Sequence, residues 1–209
     1  MIRFIYGYNL LLEPQLAKQM FQDRAAQFAD RLGWAVDVNE HGLERDIYDT
    51  LNPLYVVVTD DRGAHLGSMR FLPTTGRTML NEHFKHLYSG PPIASPLVWE
   101  CTRFCIAPGA SVRVSIQLLA AGAALMRAFC LQQLAAVFDE KMLRVYRRSG
   151  ASPEILGCGL YEGNQIGVGL WHYSREQYLQ LLRASQIDPI EMELFLANSD
   201  ICRDSLLAA

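Results

Sequence analysis

The chain has 209 residues, half of them hydrophobic and a fifth charged, with a formal net charge of −3. That is chain enough for one domain with a full core, so residues 1–209 are read as a single domain. The slight acidity argues against a nucleic-acid partner for the surface as a whole; an anionic partner would have to meet a local basic patch. No apolar run reaches the length of a membrane span, and no export signal is apparent. The five cysteines (Cys101, Cys105, Cys130, Cys158 and Cys202) are scattered and form no C-x-x-C pair. They are expected as buried free thiols in a reducing cytoplasm.

In chain order, residues 2–6 form a first strand. From Glu13 to Leu32 the pattern is helical, with Pro14 in the first turn and Gly33 as the stop. Residues 35–53 are polar and irregular. The segment 54–60 is a strand, 60–63 a turn and 64–73 the returning strand. A short helix is expected within 78–88, followed by a strand over 97–106. An alanine- and leucine-rich helix covers 111–132, then a strand 133–138 and a helix 139–149 capped by Asp139 and stopped by Gly150. Strands at 155–161 and 165–173 precede a helix opened by the capping box 174-SREQ-177. Mixed strands and helices in this order give an α/β fold with a three-layer outline.

Several charges stand where apolar residues belong. Leu16, Met20, Arg24 and Phe28 are spaced four apart, so Arg24 interrupts the apolar face of the first long helix. Arg70 breaks its strand in the same way, sharing a face with Leu66 and Leu72. In 99-WECTRFCI-106, alternation puts Glu100 with Val98, Thr102 and Phe104, and Arg103 with Trp99, Cys101 and Cys105, on opposite faces. Either a bulge re-aims one charge or each has a distant partner. Asp46 and Asp49 lie in the irregular segment between these elements. Burying such charges is costly unless they pair. Two readings stand at this point: a structural ion network, or a site in which carboxylates hold a cation and arginines a carboxylate. Phe28 and Trp34 beside it are either core or a face for a purine or an onium cation.

Other signals are weaker. His83 and His86 lack a nearby third ligand, so no metal site is expected, and no nucleophile-elbow motif supports a hydrolase. The loop 107-APGASVRVSIQ-117 is too glycine-poor for a phosphate-binding loop. Lys141, Arg144 and Arg148 share a helix face with Arg147 adjacent. That face is either simply solvated or a docking patch for an acidic carrier protein or a nucleotide phosphate.

Taken together, Arg24, Phe28 and Trp34 in R-x3-F-x5-W, 44-ERDIYD-49, 69-MRFLPTTG-76, 79-MLNEHF-84 and 99-WECTRF-104 resemble the LuxI-type acyl-homoserine-lactone synthases, or autoinducer synthases. The last block usually has serine before the arginine, and Thr102 stands there in this chain. The resemblance implies a GNAT-like three-layer α-β-α sandwich with a twisted mixed sheet and a V-shaped opening. It implies two substrates, S-adenosylmethionine and an acyl thioester on acyl carrier protein or coenzyme A, with no metal or redox cofactor. Glu100 and Arg103 would be catalytic, Glu100 as the base for the attacking amine. Arg24, Phe28, Trp34, Asp46, Asp49 and Arg70 would hold S-adenosylmethionine. Met79, Phe84, Phe104, Leu125, Met126, Phe138 and Met142 would line the acyl pocket, and Lys141, Arg144 and Arg148 would dock the donor. Some relatives that prefer 3-oxo chains carry threonine near 136–139, where this chain has 136-AVFD-139. Residues 137–157 look more like the relatives that accept short, branched or aryl acyl-coenzyme A. The competing expectations are a GNAT-type N-acyltransferase of another amine, without lactonisation, and a non-catalytic module of the same fold.

Overall fold

The computed structural model describes residues 1–201, so Cys202 lies outside the described residues. The strands are β1 (Ile2–Tyr6), β2 (Leu54–Thr59), β3 (His65–Pro73), β4 (Val98–Ile106), β5 (Gln133–Asp139), β6 (Glu154–Tyr161) and β7 (Asn164–His172). They form one mixed sheet in the order β1-β2-β3-β4-β5-β7-β6, antiparallel except between β4 and β5. A parallel pair needs a crossover, and α4 (Arg113–Ala128) supplies it. The remaining helices are α1 (Gly7–Leu11), α2 (Pro14–Ala25), α3 (Met79–His83), α5 (Leu143–Ser149), α6 (Arg175–Ser185) and α7 (Pro189–Ala197).

The expected three layers are present. On one face, α4, α6 and α7 cover Phe4, Val56, Met69 and Phe71. On the other, α2 covers Ile5, Tyr55 and Val57. Neighbours in β1 and β2 thus serve opposite cores, so β2 is buried throughout its length. The first long helix departs from expectation at Ala26, where the α-helix gives way to a π-turn over Ala26–Arg31. Helices α1 and α7 were not expected from the pattern. The first is too short for a period to show, but the second carries a start signal: Asp188 accepts from Ile190 N–H just before Pro189. Within 35–53 a 3₁₀ turn forms over Ile47–Leu51.

The site is shaped by where β4 and β5 part. Their register runs only from Val98↔Gln133 to Glu100↔Ala135, after which β5 pairs with β7 alone. A cleft opens between the diverging strands.

A second irregularity decides where the charges of β4 point. Ser68 faces Cys105 while Arg70 faces Thr102, so β4 carries one extra residue, and Arg103 takes a left-handed φ of 53°. This is a β-bulge. Trp99, Cys101, Phe104 and Ile106 all pack toward α4, whereas Thr102 and Arg103 both turn to the α2 side, where they bond Arg70 and Glu44. Strict alternation is therefore wrong for Phe104 and Arg103, and for Leu66, which packs toward α4 rather than beside Arg70. Leu66 is displaced by another register shift, between β2 and β3. The thiol expectation also needs correction. All four described cysteines are free, but only Cys105 is fully buried, while Cys130 and Cys158 are exposed. Cys130 sits in the left-handed turn after α4, and Cys158 on the edge strand β6.

Candidate active site

The stray charges converge into one cluster. Arg24 donates from Nη1 and Nη2 to Asp49 at 2.9 and 3.0 Å and from Nε to Glu44 at 2.5 Å. Arg70 donates to Asp46 at 2.5 and 2.9 Å, to Asp49 at 2.8 Å and to Thr102 Oγ1 at 3.0 Å. Arg103 bridges Glu44 at 2.9 Å and Asp46 at 2.8 Å. The 3₁₀ turn presents the acids: Asp46 accepts the N–H of Tyr48 and Asp49, and Asp49 accepts that of Asp46. Burial opposes ionisation of Asp49, but Arg24 and Arg70 hold it well below the usual carboxylate range. Burial opposes ionisation of Asp46 too, and Arg70 then Arg103 outweigh it.

The cluster has an inside and an outside. The side chains of Arg24, Glu44, Asp49 and Arg70 are 0–1% exposed, and none lines the cleft that opens between β4 and β5. Asp46, at 15%, and Arg103, at 8%, face a cleft of about 650 Å³. Among the expected binding residues, then, Arg24, Asp49 and Arg70 support the wall, while Asp46 and Arg103 are part of it. Phe28 and Trp34 form the next stretch of wall, stacked with centroids 5.4 Å apart and planes at 21°. The Arg103 guanidinium lies 5.4 Å over the Phe28 ring. Met79, Phe84, Phe138 and Met142 line the same cleft.

Glu100 is placed differently from the expectation. It lines neither cavity, is 1% exposed, and accepts the N–H of Met79 at 3.1 Å and of Leu80 at 2.5 Å at the start of α3. It has no bond to Arg103. Burial pushes its carboxyl up to about 7, against the Leu80 hydrogen bond and the charge of Arg70.

Beyond Thr102, Arg103, Phe104, Val137 and Tyr146, which line both spaces, a cavity of about 100 Å³ runs under α4. Met126 lines it with Leu119, Gly122 and Ala123, which share a helix face with it at i−7, i−4 and i−3. Leu125 does not. It lies about 100° round the helix, fully buried in the core. A Cβ at Gly122 would stand only in ordinary van der Waals contact with Met69, at 3.4 Å, and Phe71, at 3.8 Å. Tyr146, Phe138 and Trp171 pack edge-to-face with centroids 5.0–5.8 Å apart, and Trp171 Nε1 donates to the Ala151 carbonyl. Lys141 stands on the cleft rim with Arg144 and Arg148 exposed beside it on α5.

Glu44 in the cluster, and Tyr48, Gln27 and Tyr146 on the cleft, are site residues that residue spacing does not mark. Glu44 had a signal, an acid inside the ERDIYD block. Tyr48, on the cleft wall, donates to Glu82, which Arg77 also holds; no periodicity marks that arrangement. Among the described residues no group of three or more His, Cys, Asp or Glu side chains is placed to hold a metal ion, and no helix is long and apolar enough to cross a membrane.

Residues 8–181 match the family model described as autoinducer synthase. An acyl-homoserine-lactone synthase of Rhizobium etli is 38% identical over 192 residues, covering 88% of this chain and 90% of that one. Among solved structures, TofI in a ternary complex with an inhibitor and MTA is 28% identical, with a TM-score of 0.70 over 85% of this chain and 93% of that chain. The CoA-dependent acyl-homoserine lactone synthase BjaI, solved with SAM and isopentyl-CoA, shares the fold at a TM-score of 0.79 over 99% of both chains, with 22% identity.

Proposed function

The chain belongs to the autoinducer synthase family and is an acyl-homoserine-lactone synthase, an acyltransferase; from that premise we propose how its cleft performs the two steps. The observation that carries the proposal is the pairing of Asp46 and Arg103 with the Phe28–Trp34 stack on one cleft wall, facing the gap between β4 and β5. Asp46 attracts the cationic end of S-adenosylmethionine, Arg103 its carboxylate, and the stack takes the nucleoside. Arg24, Glu44, Asp49 and Arg70 hold that wall from behind. The acyl chain enters the cavity under α4, whose small volume and aromatic lining favour a short, branched or flat acyl group.

In the first step the amine attacks the thioester carbonyl, the carbon–sulfur bond breaks and the donor leaves as thiol. The amine must first lose a proton, and Glu100 is proposed as the acceptor. Because its carboxylate lies off the cleft wall, the transfer runs through a water. The edge of β4 that loses β5 after Glu100, short of the Gln27 contact at Phe104 and Ile106, would offer backbone N–H to the oxyanion. In the second step the carboxylate attacks its own γ-carbon and expels methylthioadenosine. The sulfonium is already a good leaving group, so the protein's part is to hold a folded conformation. Neither step calls for a metal or redox cofactor. We propose a cytoplasmic location for the reaction, a reading that the free thiols support.

Trp34→Ala and Asp46→Asn test the wall. Asn keeps one oxygen to accept the Tyr48 and Asp49 N–H groups of the cap, as Asp46 Oδ1 does, but it removes the charge and sets an N–H donor where Arg70 and Arg103 now find an acceptor. Each change is expected to raise KM for S-adenosylmethionine about tenfold or more, equivalent to about 1.4 kcal/mol, with the fold intact by circular dichroism. Wild-type turnover without methylthioadenosine release would sink the assignment.

The basic patch made by Lys141, in the 3₁₀ turn before α5, and by Arg144 and Arg148 of α5 is proposed as the docking point for the donor's acidic part, whether carrier protein or the coenzyme A phosphates. Reversing Lys141, Arg144 and Arg148 to Glu should raise the donor KM and leave that for S-adenosylmethionine unchanged, and salt should weaken donor binding in the wild type. Measuring both donors identifies the one that uses the patch. An unchanged donor KM for each would make it an ordinary solvated face.

A further inference from the structure

Gln27 joins the two irregular features that shape the cleft. The π-turn over Ala26–Arg31 turns neighbours Gln27 and Phe28 inward together, at 8% and 3% exposed. Gln27 Nε2 donates to the Phe104 carbonyl at 2.7 Å, and Ile106 N–H donates to Gln27 Oε1 at 3.0 Å. Both backbone groups lie on the edge of β4 away from β3, because the next N–H, that of Ala107, donates to Leu66 on the β3 side. This is the edge that loses β5 after Glu100. A primary carboxamide presents its donor and acceptor side by side. It therefore satisfies residues i and i+2 of the strand as a neighbouring strand residue would. The contact falls immediately after the Arg103 bulge and immediately before Phe28 in sequence. Gln27 itself lines the cleft.

Resting on the synthase reading above, we propose that Gln27 is a positioning residue that locks the wall carrying Phe28 and Trp34 to the wall carrying Arg103 and Phe104. It thereby fixes the approach of the amine to the thioester carbonyl. It stands in for the strand pairing that the cleft had to give up, so the gap can stay open without its two sides sliding. The ion cluster ties the same walls through Arg103 and Glu44, but with long side chains. The carboxamide bonds the backbone at the bulge directly.

The test uses Gln27→Val, which removes the carboxamide, and Gln27→Asn, which keeps it one methylene too short to span both groups. The donor is the acyl-coenzyme A or acyl-carrier-protein thioester that the wild type turns over fastest. Free thiol, methylthioadenosine and free acyl acid are each quantified by chromatography. Synthesis releases one thiol and one methylthioadenosine per turnover, so the wild-type ratio should be one. With the walls out of register, synthesis should fall about tenfold or more. Water should then intercept the thioester, releasing thiol and acyl acid without methylthioadenosine, so that the thiol ratio rises at least threefold. If Gln27 merely supports the fold, both products fall in step with the folded fraction and the ratio stays at one, which overturns the proposal. Should the Val variant not fold, the Asn variant decides by the same ratio. A wild type that releases no methylthioadenosine would instead refute the synthase reading, a separate outcome.

Discussion

Asp49→Ala is expected to lower the melting temperature by roughly 10 °C, the largest stability effect of any single change in the charged cluster. The carboxylate receives both arginines and the Tyr55 hydroxyl at 2.5–3.0 Å. With alanine there, Arg24 and Arg70, both fully buried, keep their charge and lose a shared counterion. Breaking a buried pair in this way costs about 3–5 kcal/mol, and each kcal/mol shifts a domain of this size by about 2–4 °C. The sign with pH follows from the direction of the shift. Asp49 is held well below its ordinary range, so its contribution is complete above the unfolded value and fades as pH falls toward the folded one. The gap between variant and wild type should therefore narrow in acid. Thermal melts at pH 7 and pH 3 check both points. A variant melting within 2 °C of the wild type, with only its KM for S-adenosylmethionine raised, would show that Asp49 meets the substrate directly.

Glu100→Gln should have the largest effect on rate. Losing a general base costs about a hundredfold or more, and the change keeps the size of the side chain and one acceptor for the Met79 and Leu80 N–H groups. In the wild type, kcat/KM should rise with pH through about 7, the value to which burial pushes this carboxyl. The variant should lose that limb and recover partly at high pH, where the amine deprotonates in solution. Stability gives an independent readout. A carboxyl raised in the folded state contributes stability that is whole below its unfolded value and is lost as pH climbs through the folded one. The wild type should thus lose stability between about pH 4.5 and about 7, on the order of 3 kcal/mol, and the variant should not. The melting temperature of Glu100→Gln relative to wild type should be higher at pH 8 than at pH 5. Full activity in a folded variant ends the base proposal. A stability difference without a rate difference makes Glu100 a cap for α3 and nothing more.

The resemblance carried by Arg24, Phe28, Trp34, Asp46, Asp49, Arg70, Glu100 and Arg103 led to the family, and the family match and the relatives agree with it. The division of labour among those residues was not legible. Arg24 and Asp49 sit in the same motifs as Phe28 and Asp46, yet the first two are sealed behind the wall and the others are on it. Sequence spacing says that a charge interrupts an apolar face; it does not say whether its partner or a ligand arrives from the other side. Leu125 shows the same limit on a smaller scale. It is one residue from Met126, and the turn of α4 sends only Met126 into the cavity.

What the sequence determined by itself was local: the element order, most of their ends, the apolar stripe of α2 and the caps at Asp139 and Ser174. Each depends on residues within a turn or two of one another, where period, capping chemistry and the φ preferences of proline and glycine act directly. Tertiary structure alone decided which way Arg103 points, where β4 and β5 part, and that Glu100 turns to the start of α3. The period-two rule holds only while a strand keeps its register with its neighbours. One extra residue opposite Met69 in β3 reverses the faces beyond it and carries Arg103 to the same side as Glu100. No residue in 99-WECTRFCI-106 is a glycine that would announce a left-handed turn. The bulge is held by Glu44 and Asp46 across the cluster and by Gln27 along the strand edge, contacts 57–79 positions away in sequence.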